Sequence, residues 1–168
     1  MTTGDDVPEV SLPRVGIGVD VHPFEPGRPL WLAGLEWPGE VGLAGHSDGD
    51  VIAHALVDAV LGAVGAGDIG TLFPSDDPAL EGIDSLDMLR EGYARVRGEG
   101  WELVNAACVL IGEEPRISGR REEMSAALAG ALGVGASLIS VTATTTDRLG
   151  FTGRGEGLAA EAVALLSR

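Results

Sequence analysis

The chain has 168 residues, 45% of them apolar, and a formal charge of −15 from 11 basic and 26 acidic side chains, which is enough for one domain with a sizeable core. So acidic a surface excludes nucleic acid or an anionic membrane as a main partner, since both demand a basic face. No run of about 18 uncharged apolar residues offers a membrane span, and the lone cysteine, Cys108, reads as a buried thiol in a cytoplasmic protein.

Residues 1–13 are polar and acidic, lack the basic and apolar regions of a secretory signal, and read as a flexible leader. Residues 14–22 alternate: Val15, Ile17, Val19 and Val21 point to one side of a strand, and Gly16, Gly18, Asp20 and His22 to the other. Asp20 and His22 therefore share a face, about 7 Å apart along the strand. A short strand is expected over 30–34 and an edge strand near Val41. A helix follows over 48–64 with Ser47 or Asp48 as N-cap. In it Asp50, His54 and Asp58 recur at i, i+4 and i+8, a polar stripe in an apolar segment.

A loop over 65–78 precedes a helix capped by Asp84 or Ser85 and running to about Arg97. Then come a strand over 101–111, a turn at 113–116, and a helix over 120–132 stopped by Gly133 and Gly135. A β-branched strand over 138–146 and a Gly-rich loop over 150–157 lead to a last helix over about 158–166. This order predicts an α/β (α+β) single domain, a mixed sheet with helices covering one face. The face carrying Gly16, Gly18, Asp20 and His22 is poor in apolar side chains, so a further copy of the chain is expected to cover it.

Chemistry-bearing residues concentrate at a few points. Asp20, His22 and His54 offer two imidazole nitrogens and a carboxylate oxygen, the ligand set of a catalytic zinc with its fourth position open. His46 and Ser47, beside a helix start, either belong to a plain cap or hold a phosphate. Asp68 and Gly70 make a turn or meet the hydroxyls of a polyol. Residues 142–147 form a β-branched edge or supply hydroxyls and a carboxylate to a hard ion such as Mg²⁺. Arg154 among Gly153, Gly155 and Gly157 marks an ordinary turn or a diphosphate contact. It is not a Walker motif.

Four segments, Gly-Val-Asp-Val-His-Pro-Phe (18–24), Gly-His-Ser-Asp-Gly-Asp-Val-Ile-Ala-His-Ala-Leu (45–56), Gly-Asp-Ile-Gly-Thr-Leu-Phe-Pro (67–74) and Thr-Thr-Thr-Asp-Arg-Leu-Gly-Phe-Thr-Gly-Arg-Gly-Glu-Gly (144–157), closely resemble the 2-C-methyl-D-erythritol 2,4-cyclodiphosphate synthase family. The resemblance implies a cytoplasmic homotrimer with sheets around the threefold axis and the active site between subunits, in one domain over 14–168. It implies zinc on Asp20, His22 and His54, catalytic roles for His46, Thr145 and Asp147, and phosphate contact through His46 and Ser47. Asp68 and Gly70 would meet the methylerythritol hydroxyls. Gly112, Pro115, Arg116, Ile117, Ala143 and Thr144 would hold the cytidine part, and Thr145 the diphosphate. Asp147 would ligate Mg²⁺ or Mn²⁺ on that diphosphate, with Phe151 and Arg154 as further substrate contacts. Arg154 and Glu156 would lie near the axis, where an isoprenoid diphosphate is expected.

The implied reaction, in the non-mevalonate isoprenoid pathway, is attack of the 2-phosphate of 4-diphosphocytidyl-2-C-methyl-D-erythritol 2-phosphate on its own β-phosphorus, with loss of CMP. Three departures stand out: Asp147 replaces the family's usual Glu, Arg116 its more common Lys, and Thr71 stands where a Lys is sometimes found. The rival readings are a metal-dependent phosphohydrolase on the same ligands and a non-catalytic trimer that binds isoprenoid phosphates.

Overall fold

A computed structural model describes residues 12–168, so the expected leader falls almost wholly outside the described residues. A four-stranded mixed sheet in the order β1-β6-β4-β5 organises the chain. β1 (Arg14–Pro23) runs antiparallel to β6 (Gly157–Ser167), β6 antiparallel to β4 (Glu102–Ile111), and β4 parallel to β5 (Ile139–Thr144). Helices α1 (Val51–Val64), α3 (Ser85–Gly98) and α4 (Arg121–Leu132) form a layer on one face of that sheet. A hairpin of β2 (Trp31–Leu32) and β3 (Leu35–Glu36) and two single-turn helices, α2 (Ile69–Leu72) and α5 (Gly150–Gly153), complete the elements used below. Among the described residues no helix is long and apolar enough to cross a membrane.

The faces of β1 are used the other way round from the expectation. Gly16 and Gly18 face α1, so closely that a Cβ on either would stand 1.9 Å from a helix carbonyl oxygen, that of Ala59 or Ala55 respectively. The apolar partner of this bare backbone is the helix itself: Val51, Ile52, Ala55, Leu56, Ala59 and Val60 are all buried. Asp20 and His22 continue the same inward face. Val15, Ile17, Val19 and Val21 point away from the helices and are 47–66% exposed. The surface left for another copy to cover is therefore the valine face, not the glycine face.

The C-terminal segment is β6, not a helix. Alanine and leucine favour helix locally, but this segment pairs with β1 on one side and β4 on the other over nearly its whole length. Leu158, Ala160, Ala162, Ala164 and Leu166 are each 1% exposed or less, a period of two that suits a central strand whose small side chains admit α1. Position by position, Gly16 lies opposite Ala164, Gly18 opposite Ala162 and Asp20 opposite Ala160.

Boundaries shift for stated reasons. Neither Ser47 nor Asp48 caps α1. Its N-cap is Asp50, whose fully buried carboxylate accepts from the backbone N–H of Ile52 and Ala53, each at 3.1 Å, and also from Ala33 at 2.9 Å and Gly34 at 2.6 Å. Asp50 thus starts the helix and staples the β2–β3 turn, and is no part of an open polar stripe. β5 ends at Thr144 instead of 146. The loop over 65–78 contains α2, and the edge strand near Val41 is reduced to one bridge between Phe24 and Leu43.

Candidate active site

The tip of β1 and the first turns of α1 bring Asp20, His22 and His54 to one point. Asp20 Oδ2 stands 2.9 Å from His22 Nε2 and 3.0 Å from His54 Nδ1, and the two ring nitrogens are 3.3 Å apart. Ligand atoms at zinc distances of about 2.0–2.2 Å from a tetrahedral centre stand roughly 3.4 Å apart, so this donor set fits a divalent ion with little adjustment. His22 is aimed by its far side: Nδ1–H donates to the Ala44 carbonyl, which turns Nε2 toward the cluster. Burial pushes the Asp20 carboxyl up, but hydrogen bonds from His22 and His54 outweigh it and hold the group well below the usual carboxylate range. Burial draws His22 down, and its bond to Asp20 more than restores it, so its net shift is upward.

The second nitrogen of His54 looks into the protein. Nε2 is 2.8 Å from Ser85 Oγ and 3.0 Å from Ser47 Oγ, and all three residues are buried. Ser85 Oγ is also hydrogen-bonded to Asp48 Oδ1, whose other oxygen accepts from the Ser85 backbone N–H at 3.0 Å.

The triad forms one wall of a cleft of about 510 Å³ that also holds Gly45, His46, Ser47, Ile69 and Gly70. His46 is exposed at this cleft and is not one of the triad. The first N–H groups of α1 are occupied by Asp50, so His46 and Ser47 have no free helix terminus beside them to share a phosphate. Arg28 braces their loop instead, donating to the carbonyls of Gly45 at 2.6 Å and Ser47 at 2.5 Å. Asp68 caps α2 and accepts from Thr71 N at 2.8 Å and Thr71 Oγ1 at 2.6 Å. Gly70 lines the cleft; Asp68 stands just outside it. Asp58 accepts from Ile69 N at 2.7 Å and so ties this turn to α1.

A second cleft, of about 480 Å³, gathers Gly112, Pro115, Arg116, Ile117, Ala143, Thr144 and Thr145. Arg148 lines it too, and its backbone N–H donates to Glu113 at 3.1 Å, joining the two loops that form the cleft. Asp147 lies beside this cleft with φ at 52°, linked to Thr145 through that residue's hydroxyl. Phe151 and Arg154 line neither cleft, and Arg154 pairs with Glu156 at 2.8 and 3.1 Å. The two clefts share no residue.

Ser85, Asp48, Arg28 and the Ala44 carbonyl were not singled out from the sequence as site residues. Ser85 meets His54 only through the packing of α3 on α1, Arg28 acts on backbone atoms, and a carbonyl carries no sequence signal. Asp48 alone had a clue, its place between Ser47 and Asp50.

A family model described as the YgbB family matches residues 13–167. The chain belongs to the YgbB family. As a YgbB chain it is 57% identical over 158 residues to a 2-C-methyl-D-erythritol 2,4-cyclodiphosphate synthase of Rubrobacter xylanophilus, covering 92% of this chain and 95% of that protein. It is 54% identical over 155 residues to one of Azoarcus sp., covering 92% and 96%. A solved 2C-methyl-D-erythritol-2,4-cyclodiphosphate synthase in a CDP-bound form superposes with a TM-score of 0.83 at 40% identity, over 91% of this chain and 99% of that one. The mixed sheet with helices on one face is thus the fold of the family.

Proposed function

We propose that this chain converts 4-diphosphocytidyl-2-C-methyl-D-erythritol 2-phosphate into 2-C-methyl-D-erythritol 2,4-cyclodiphosphate and CMP, as a cytoplasmic phosphorus–oxygen lyase of isoprenoid synthesis whose catalytic domain is residues 14–168. What carries the reading is the triad: three ligand atoms converge in a cleft beside His46 and Ser47, on a chain more than half identical to named synthases. A 2-phosphate oxygen forms a bond to the β-phosphorus, the bond from that phosphorus to the bridging oxygen breaks, and CMP departs with that oxygen. No water is consumed. The attacking phosphate is already ionised at neutral pH, so no general base is required.

In phosphoryl transfer the protein mainly positions groups and neutralises charge. A divalent ion on Asp20, His22 and His54, zinc by its ligand set, supplies Lewis acidity and neutralisation. His46 and Ser47 hold and orient the phosphate, and Asp68 and Gly70 meet the polyol hydroxyls. The second cleft takes the cytidine, Thr145 contacts the diphosphate, and Asp147 is the carboxylate for a Mg²⁺ or Mn²⁺ there. Folding the substrate for in-line attack lowers the barrier by about 7–11 kcal/mol in well-oriented intramolecular reactions.

Because the two clefts share no residue, the reading completes each active site from the first cleft of one subunit and the second cleft of its neighbour, in a homotrimer packed through the valine face. Phe151 is assigned a contact at that junction. Arg154 lies near the axis with an isoprenoid diphosphate as its partner.

The test is product analysis by ³¹P NMR in ¹⁸O-water. A cyclic diphosphate without solvent oxygen, formed with CMP, is expected; a linear phosphate carrying ¹⁸O would identify a hydrolase instead. His54→Ala should nearly abolish turnover in a folded protein, and undiminished turnover after complete removal of divalent metal would rule the reading out.

A further inference from the structure

We propose that Asp48 and Ser85 form a proton-ordering relay that positions His54 as a metal ligand, an inference that rests on the triad being a metal site. A carboxylate can only accept, and a serine hydroxyl has one proton to give. The Ser85 proton is therefore committed to Asp48 Oδ1. Its oxygen has only lone pairs left for His54 Nε2, 2.8 Å away, so it meets that nitrogen as the acceptor of an Nε2–H.

Ser47 Oγ accepts from Gly49 N at 3.1 Å and lies 3.0 Å from the same Nε2. With Nε2 engaged on the protein side, Nδ1 is the nitrogen turned toward Asp20 and His22, the one that would bind an ion. The opposite tautomer would point a proton at the ion. His22 obtains the same result from a backbone carbonyl, whereas His54 depends on a side chain carried by another helix.

The relay is rigid at its base. Asp48 also accepts from Ser85 N at 3.0 Å and from Asp50 N at 3.1 Å, which ties it to the starts of both α3 and α1. Ser85 is fully buried, so no water replaces its hydroxyl. The backbone bond from Ser85 N to Asp48 survives replacement of the side chain, and Ser85→Ala removes only the hydroxyl.

The experiment measures Zn²⁺ affinity by competition with a chromogenic chelator on metal-stripped wild type, Ser85→Ala and His54→Ala, with urea unfolding of the metal-free proteins alongside. Ser85→Ala should weaken zinc binding, measured on the folded fraction, by about 10- to 100-fold, the usual effect of losing the partner that orients a ligand, beyond the drop in the metal-free unfolding midpoint that loss of a buried hydrogen bond brings. A scaffolding role alone would move the midpoint and leave affinity corrected for folding unchanged.

Equal zinc affinity in Ser85→Ala and wild type overturns the relay and leaves the metal site standing. Wild-type zinc binding that His54→Ala does not reduce overturns the metal site and the relay with it.

Discussion

The backbone at Asp147 turns through φ = 52°, and the next residue, Arg148, through 65°. Left-handed backbone is tolerated by short polar side chains far better than by longer ones, which gives a physical reason for aspartate where the family the sequence resembles usually has glutamate. Asp147→Glu should lower the Mg²⁺ concentration needed for half-maximal activity, because the carboxylate gains reach. It should also cost up to about 1 kcal/mol of stability through the backbone. Metal titration of turnover and urea unfolding read the two effects separately.

At this scale the triad itself could be recognised in the sequence, because strand and helix periodicity puts Asp20, His22 and His54 on facing surfaces. Their supports could not. Ser85 lies 31 residues from His54 and carries no spacing that links them, and His22 is oriented by a main-chain oxygen. Cys108 is buried as expected, and burial pushes its thiol up to about 12.

Among the elements, β1 and α1 form the closest pairing, and two missing side chains set it. Gly18→Val would drive its side chain into the Ala55 carbonyl and the Ala59 amide, backbone atoms that cannot swing aside. Overpacking of this kind typically costs about 1–3 kcal/mol, and here it also separates Asp20 from His54. Urea unfolding should show that loss, with zinc affinity falling as well.

The inverted reading of β1 has the same source. A row of glycines looks like an empty face in a sequence, yet against a helix rich in alanine and valine it is a close-fitting surface. β6 misled through composition: its two rows are both mostly apolar, so helix propensity masked the period of two, and only pairing on both edges makes it a strand. Helices α3 and α4 followed expectation, since Asp84 caps the one and Gly133, at φ 67°, ends the other.

For the whole molecule, the decisive surface is the bare outer side of the sheet, where Val15, Ile17, Val19 and Val21 stand in a row on an edge strand. A contiguous apolar patch of this sort on an acidic protein marks a protein–protein contact. Ile17→Asp leaves the monomer's core untouched, because Ile17 is 61% exposed. It should yield a folded but monomeric and inactive chain, which sedimentation velocity and circular dichroism would reveal.

The separateness of the two clefts has its own genetic signature. Chains disabled at His54 and chains disabled at Thr145 should each be dead when pure. Co-refolded, they should regain a fraction of normal turnover, since some junctions would then draw an intact half from each parent; mixing without unfolding should restore nothing until subunits exchange.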